Sequence, residues 1–217
     1  MEIMRLGGLI PLLVLTACQG GNLPNASAKN DVPTEWEFNF FTPKALPAVV
    51  TFVVILDADG GASRFVTLNS TPDLPKVIGE WNDLTRAPGG HWNHVKYPPK
   101  QFFFCWDSVI DKKVYETYLT LPDSVVEKMR SPSGKNDPYH NTYNTVQIGL
   151  APEGKVAVWL NGIGFEHNYR VTPSVLKTVS GDKLELCKGV TRFSNGYGYD
   201  KDIKEFIKGK VYPYGVW

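Results

Sequence analysis

The sequence has no G-x-S-x-G elbow, no H-E-x-x-H pair and no Gly-rich loop set between a strand and a helix. These are the local frames on which many hydrolases, zinc proteases and nucleotide-binding enzymes rest. The pairs Gly60-Gly61, Gly162-x-Gly164 and Gly196-x-Gly198 carry neither a P-loop lysine nor the third glycine of a dinucleotide fingerprint. An excess of one charge is lacking too: 23 Lys and Arg face 22 Asp and Glu, a net charge of +1. So even a balance gives no reason to expect nucleic acid as a partner. Histidine and cysteine are scarce, four and three in 217 residues. His91 and His94 are the one close histidine pair, but Gly89, Gly90 and Pro98 place them in a loop, and no third ligand follows at zinc-site spacing. The acidic pairs Glu35/Glu37, Asp57/Asp59 and Asp200/Asp202 read as solvated strand or turn edges. No metal, no cofactor and no enzyme activity are therefore expected.

Long hydrophobic runs are also missing, with one exception. Gly7 to Leu15 is almost wholly apolar and closes on Leu15-Thr16-Ala17-Cys18. A core of about ten residues is too short for a membrane span, which needs roughly 20, but fits the h-region of a secretory signal. Leu, two small residues and Cys in that register form a bacterial lipobox. Residues 1–17 are then a lipoprotein signal peptide, and Cys18 is the lipidated first residue of the mature chain. Residues 19–34, rich in Gly, Asn, Ala, Ser and Pro, continue from Cys18 as a flexible tether over 18–34. Gln19, where an Asp would retain the protein at the inner membrane, leaves delivery to the outer membrane, facing the periplasm, as the default. The membrane is thus one expected partner, reached through lipid and not through a helix.

With Cys18 modified, Cys105 and Cys187 remain in an oxidising compartment. They are a candidate disulfide closing a loop of about 80 residues, with stabilisation on the order of 4 kcal/mol in the chain-entropy model. The alternative is two separately buried thiols.

Residues 35–217 suit one domain with a sizeable core; aromatics at 12% mark a folded chain. Trp36 to Phe40 alternates as a half-buried strand, broken by Pro43 and Pro47. Val49 to Leu56 (VVTFVVIL) is apolar on both parities and reads as a central strand covered on both faces. Asp57-Ala58-Asp59-Gly60-Gly61 turns the chain into a partner strand from Arg64 to Leu68. It lacks the closing Glu of a calcium loop. Thr71 to Leu84 reads as a short helix from apolar residues three or four apart, and 87–99 as a loop. Gln101 to Trp106 and Val114 to Leu121 make a hairpin. Leu121-Pro122-Asp123 opens a helix to about Arg130. Thr145 to Leu150 and Lys155 to Leu160 form the clearest hairpin, extended by Phe165 to Val171. Leu184 to Cys187 reads as a short strand, Asp200 to Ile207 as a helix, and the closing YPYGVW as a docked tail. The expected fold is α+β, mainly antiparallel β, sandwich-like or a curved sheet, with two or three short helices.

Trp36-Glu37-Phe38 with Thr42-Pro43-Lys44, then PPKQFFFCWDSVIDKKVYETYLTLP (Pro98 to Pro122) and NTVQIGLAPEGKVAVWLNG (Asn144 to Gly162), resemble a family of uncharacterised bacterial lipoproteins. The most distinctive block is a GLAP-x-G turn leading into a VVVWL-like strand, and the likeness covers most of residues 35–171. Members are similar to lipoproteins encoded beside type VI secretion effectors, notably phospholipases. The resemblance implies an immunity protein, an anchored inhibitor that occludes a secreted phospholipase-type effector. Its contacts are then expected on exposed loops: His91, Trp92 and His94; Tyr139, His140 and Tyr143; Tyr197 and Tyr199. The alternative class is a structural or lipid- or glycan-binding envelope lipoprotein without catalytic activity.

Overall fold

Alternation builds the first strand. In β1 (Trp36–Pro43) Phe38 and Phe40 turn to one side and Asn39 and Phe41 to the other, and all four are buried. The computed structural model describes residues 35–66, 71–86, 93–131, 142–162, 165–190 and 196–217. The signal peptide and tether expected over 1–34 lie outside these residues.

β2 (Ala48–Asp57) and β3 (Ala62–Val66) form the expected antiparallel hairpin. Its turn is closed by Asp57, whose Oδ1 accepts the N–H groups of Asp59 at 3.0 Å and Gly61 at 2.7 Å. Gly60 takes a φ of +87°, which an L side chain rarely adopts. This is the local carboxylate chemistry of an Asx turn.

The helix expected over 71–84 is absent. In its place stand a two-residue strand, β4 (Asp73–Leu74), and a series of turns. Pro72 and Pro75 deny the segment helical donors, and Gly79 has a φ of +77°. Backbone bonds to β1 and the residue after it compete successfully: Thr42 N–H donates to Pro72 C=O and Lys44 N–H to Val77 C=O. The three-to-four spacing instead reflects turns that point Val77 and Trp81 at the body.

β5 (His94–Val95) pairs with the start of β1. β6 (Pro99–Ser108) pairs with the full length of β7 (Lys113–Thr120) through Gln101 to Ser108. α1 (Asp123–Arg130) follows Pro122 as expected, burying Val125, Val126 and Met129. Asp123 in its first turn pairs with Lys100 at 2.7 Å, and Arg130 in its last with Asp59 at 3.1 Å.

β8 (Thr145–Ala151) and β9 (Lys155–Asn161) pair at seven positions through a turn at Pro152–Gly154. β10 (Tyr169–Val171) extends β9, shorter than the expected Phe165 to Val171. β11 (Val175–Ser180), unread in the sequence, pairs with β7. The strand expected at Leu184 to Cys187 is a stretch of bends instead, because its N–H groups go to a side chain described below. α2 (Lys201–Ile207) appears as expected. The tail docks, with Val216 N–H bonded to Gly79 C=O and Trp217 against Trp81 at 5.2 Å.

The strands make two sheets. The first runs β10-β9-β8-β1-β4, with β5 also on β1; the second runs β11-β7-β6-β2-β3 and is wholly antiparallel. Among the named strands of the described residues, β1–β8 and β1–β4 are the parallel pairs. One apolar cluster draws on both sheets: Phe38 meets Phe102 at 5.9 Å and Phe40 meets Phe104 at 5.1 Å. The fold is mainly-β α+β, with two α-helices among the described residues.

Candidate functional site

Of the residues singled out as partner contacts, His94, Tyr143, Tyr197 and Tyr199 lie among the described residues. His91, Trp92, Tyr139, His140 and the lipidation residue Cys18 lie outside the described residues. His94 sits on β5, its Nδ1 3.6 Å from Glu35 and 3.9 Å from Glu37. Tyr143 stacks on Phe165 at 4.0 Å beside Lys128 and Tyr169, and burial raises its hydroxyl pKa. Tyr197 and Tyr199 pack at a third place, with Leu46, Val109 and Ile110, where Tyr199 donates to Ile110 C=O at 2.7 Å.

Cys105 and Cys187 are bonded, with Cα atoms 5.4 Å apart. That bond builds the feature the sequence reading missed. On β6 the parity alternates cleanly: Phe102, Phe104 and Trp106 face the shared core, while Phe103 and Cys105 face outward. Cys105 holds residues 181–190 across this outer face as a strap. Glu116 on β7 clamps the same strap: its Oε2 accepts the N–H groups of Glu185, Leu186 and Cys187 at 3.0, 2.9 and 2.9 Å. Glu116 is buried, so its charge is met by three oriented donors in place of water. These bonds are why 184–187 is not a strand.

Beside the strap the face is open. Register sets its rows: Val66, Phe52, Cys105 and Glu116 lie side by side, then Arg64, Val54, Phe103, Tyr118 and Lys177, then Leu56, Gln101, Thr120 and Val175. The central strand expected at Val49 to Leu56 is covered on both faces as far as Thr51, but from Phe52 onward on one face only; Leu56 is 43% exposed. The floor of Phe52, Val54, Phe103 and Tyr118, with Leu186 and Val190 standing on the strap, encloses a groove of about 700 Å³. A second recess of about 310 Å³ shares Val54, Phe103 and Tyr118 and continues to Val175. Leu186 is 65% and Val66 58% exposed. Arg64, its guanidinium 5.2 Å from the Phe52 ring centre, is the one charged residue among the described residues that line the groove. Burial, and then Glu116, raises the Tyr118 pKa, so its hydroxyl stays protonated at neutral pH.

Within the groove the described residues offer apolar contact, the Arg64 cation and the hydroxyls of Tyr118 and Thr51. No group of three or more His, Cys, Asp and Glu among the described residues could hold a metal ion. Ser180-Gly181-Asp182-Lys183 has S-x-x-K spacing, but it spans the end of β11 and a 3₁₀ turn, so no α-helix brings Lys183 back over Ser180. A signal for the face existed in the sequence. A strand apolar on both parities is either covered twice or presents an apolar face, and coverage is a tertiary property.

The sequence matches the family described as protein of unknown function (DUF2931) over residues 23–215. The chain belongs to the DUF2931 family. No curated protein and no solved structure matches this DUF2931 member. The matched span takes in both sheets, the strap and α2.

Proposed function

We propose that this DUF2931 protein is a binding protein of the bacterial cell envelope, held to the outer membrane by lipid on Cys18, facing the periplasm. It acts as an immunity protein that occludes a secreted phospholipase-type effector. The observation that carries the reading is the open outer face of the second sheet. It places Phe52, Phe103 and Tyr118 beside Arg64, the residue types in which binding energy concentrates. Occlusion needs a complementary surface and no turnover, and a lipid anchor raises the inhibitor's local concentration where a lipase works. The lipobox and the resemblance to lipoproteins beside phospholipase effectors supply the compartment and the partner.

Co-expression with the lipase encoded beside this gene tests it. Protection from toxicity and a co-purifying complex are expected, and Val66→Asp with Leu186→Asp on the open face is expected to abolish both. Full toxicity with no complex rejects the effector reading. Loss of labelling by a radioactive fatty acid in Cys18→Ser tests the anchor; an unlabelled native chain rejects it.

The groove favours a second reading, a lipid-binding envelope lipoprotein. Its volume of about 700 Å³ lies in the range of about 300–1,000 Å³ typical of small-molecule sites, which are mostly apolar with few polar groups. Such a lining suits a hydrocarbon better than a glycan.

A further inference from the structure

We propose that the groove takes one long-chain carboxylate, an ionised fatty acid, with its chain along the sheet floor and its head on Arg64. The inference deepens the lipid-binding reading and rests on it, independently of the effector.

Shape argues for a single chain. A bilayer surface is broad, whereas this floor has a wall: the disulfide and Glu116 fix the strap so that Leu186 and Val190 rise beside Phe52 and Phe103. The row Arg64, Val54, Phe103, Tyr118 and Lys177 crosses all five strands, so an occupant can extend over about 19 Å at four spacings of about 4.8 Å. The second recess continues the path to Val175 on β11.

Charge argues for the head. Among the described residues Arg64 is the only charged side chain lining either recess, Lys177 standing beyond them at the far end of the row, and none of the ion pairs among those residues involves Arg64. Its guanidinium lies over Phe52, which fixes a planar fork at the groove's rim. A fork of this kind matches a carboxylate with two parallel hydrogen bonds. One cation also balances a single negative charge, where a phosphomonoester brings nearly two.

Displacement of a dansyl-labelled fatty acid from the purified protein tests this. The competitors are hexadecanoate, the neutral monopalmitoylglycerol, zwitterionic lysophosphatidylcholine and phosphatidylglycerol vesicles. Hexadecanoate is expected to bind one per chain, and monopalmitoylglycerol about fivefold more weakly, the scale of one exposed ion pair. Arg64→Gln, an exposed change, should bring hexadecanoate down to the neutral ligand's affinity and leave the neutral ligand unaffected. Leu186→Asp should weaken both by at least about tenfold, with circular dichroism unchanged. Equal binding of charged and neutral chains, preference for lysophosphatidylcholine, or an inert Arg64→Gln overturns the inference while the lipid-binding reading stands. Binding to vesicles alone overturns it in favour of a membrane surface. No binding of any amphiphile removes the lipid-binding reading as well and leaves the face to a protein partner.

Discussion

The two sheets share a core but treat their outer faces in opposite ways. On the first sheet the outward residues Asn39, Gln147 and Trp159 lie buried beneath other parts of the chain, with the exposed Arg170 at the row's edge. Phe41, Trp159, Trp81 and Trp217 pack ring to ring at 5.2–5.6 Å. Arg86, buried, lies 4.6 Å from the Phe41 ring centre and 4.5 Å from that of Trp159, and burial lowers its pKa to about 10. Asn161, Asn168 and Gln147 close a buried hydrogen-bond chain beside it. On the second sheet the outward residues include the apolar Phe52, Val54, Leu56, Val66, Phe103 and Val175, yet among the described residues only the strap lies over them. The molecule thus buries polar side chains on one outer face and exposes apolar ones on the other. Exposed apolar patches of this kind mark interaction sites more often than accidents.

The largest expected effect comes from releasing the strap. Replacing Cys105 and Cys187 by Ala removes a link between residues 82 apart, a loss of about 4.5 kcal/mol in the chain-entropy model. Urea unfolding should show it as a lower midpoint, and hexadecanoate binding should fall in parallel because Leu186 is no longer held. Unchanged binding in a folded variant means that the strap is not a wall of the site. Next comes the covered face. Trp159→Ala empties a fully buried position, removes the bond to Asp83 at 2.6 Å and uncovers Arg86, for about 3–5 kcal/mol by urea unfolding. Gly149→Ala should cost about 1–3 kcal/mol, since a Cβ there lies 2.8 Å from Trp81 and 3.0 Å from Phe41. A neutral Gly149→Ala would show that the ring cluster yields easily and that the first sheet's cover is loose.

What was legible in the sequence follows from which forces are local. Both main hairpins and α1 could be read, because side-chain parity, turn carboxylates and a Pro-Asp start act within a few residues. The segment 71–84 misled because its apolar spacing reports contact with the body, while Pro72, Pro75 and Gly79 decide its backbone. β11 went unread since Val175, Lys177 and Val179 present a mixed face that becomes a strand only by pairing with β7. The strap's shape depends on Glu116, some 70 residues away, and no local pattern encodes a pairing at that distance. The pair Cys105 and Cys187 was readable as a candidate because compartment and cysteine number constrain it. What it holds in place was not. The open face was half legible: Val49 to Leu56 announced two apolar faces, and only the assembled fold shows which one lacks a cover.

Glu116→Gln sits between structure and site. The amide keeps one acceptor oxygen near the N–H groups of Glu185, Leu186 and Cys187 but loses the charge that strengthens all three bonds, for about 1–3 kcal/mol. The disulfide still holds position 187, so the strap should loosen without leaving, and hexadecanoate binding should weaken less than in the cysteine variants. Val54→Thr asks the smallest and sharpest question. The two side chains are close in shape, so the change tests only whether an apolar surface at that spot matters to stability. If the face were core, burying an unpaired hydroxyl would cost about 1–3 kcal/mol. Because Val54 lines an open groove, the unfolding midpoint should move by no more than about 0.5 kcal/mol, while affinity for a hydrocarbon chain falls measurably. Stability and binding then respond to different residues on one strand, inward Val53 and outward Val54. If both outcomes are found, the apolar side chains of this face serve something that docks there and not the fold.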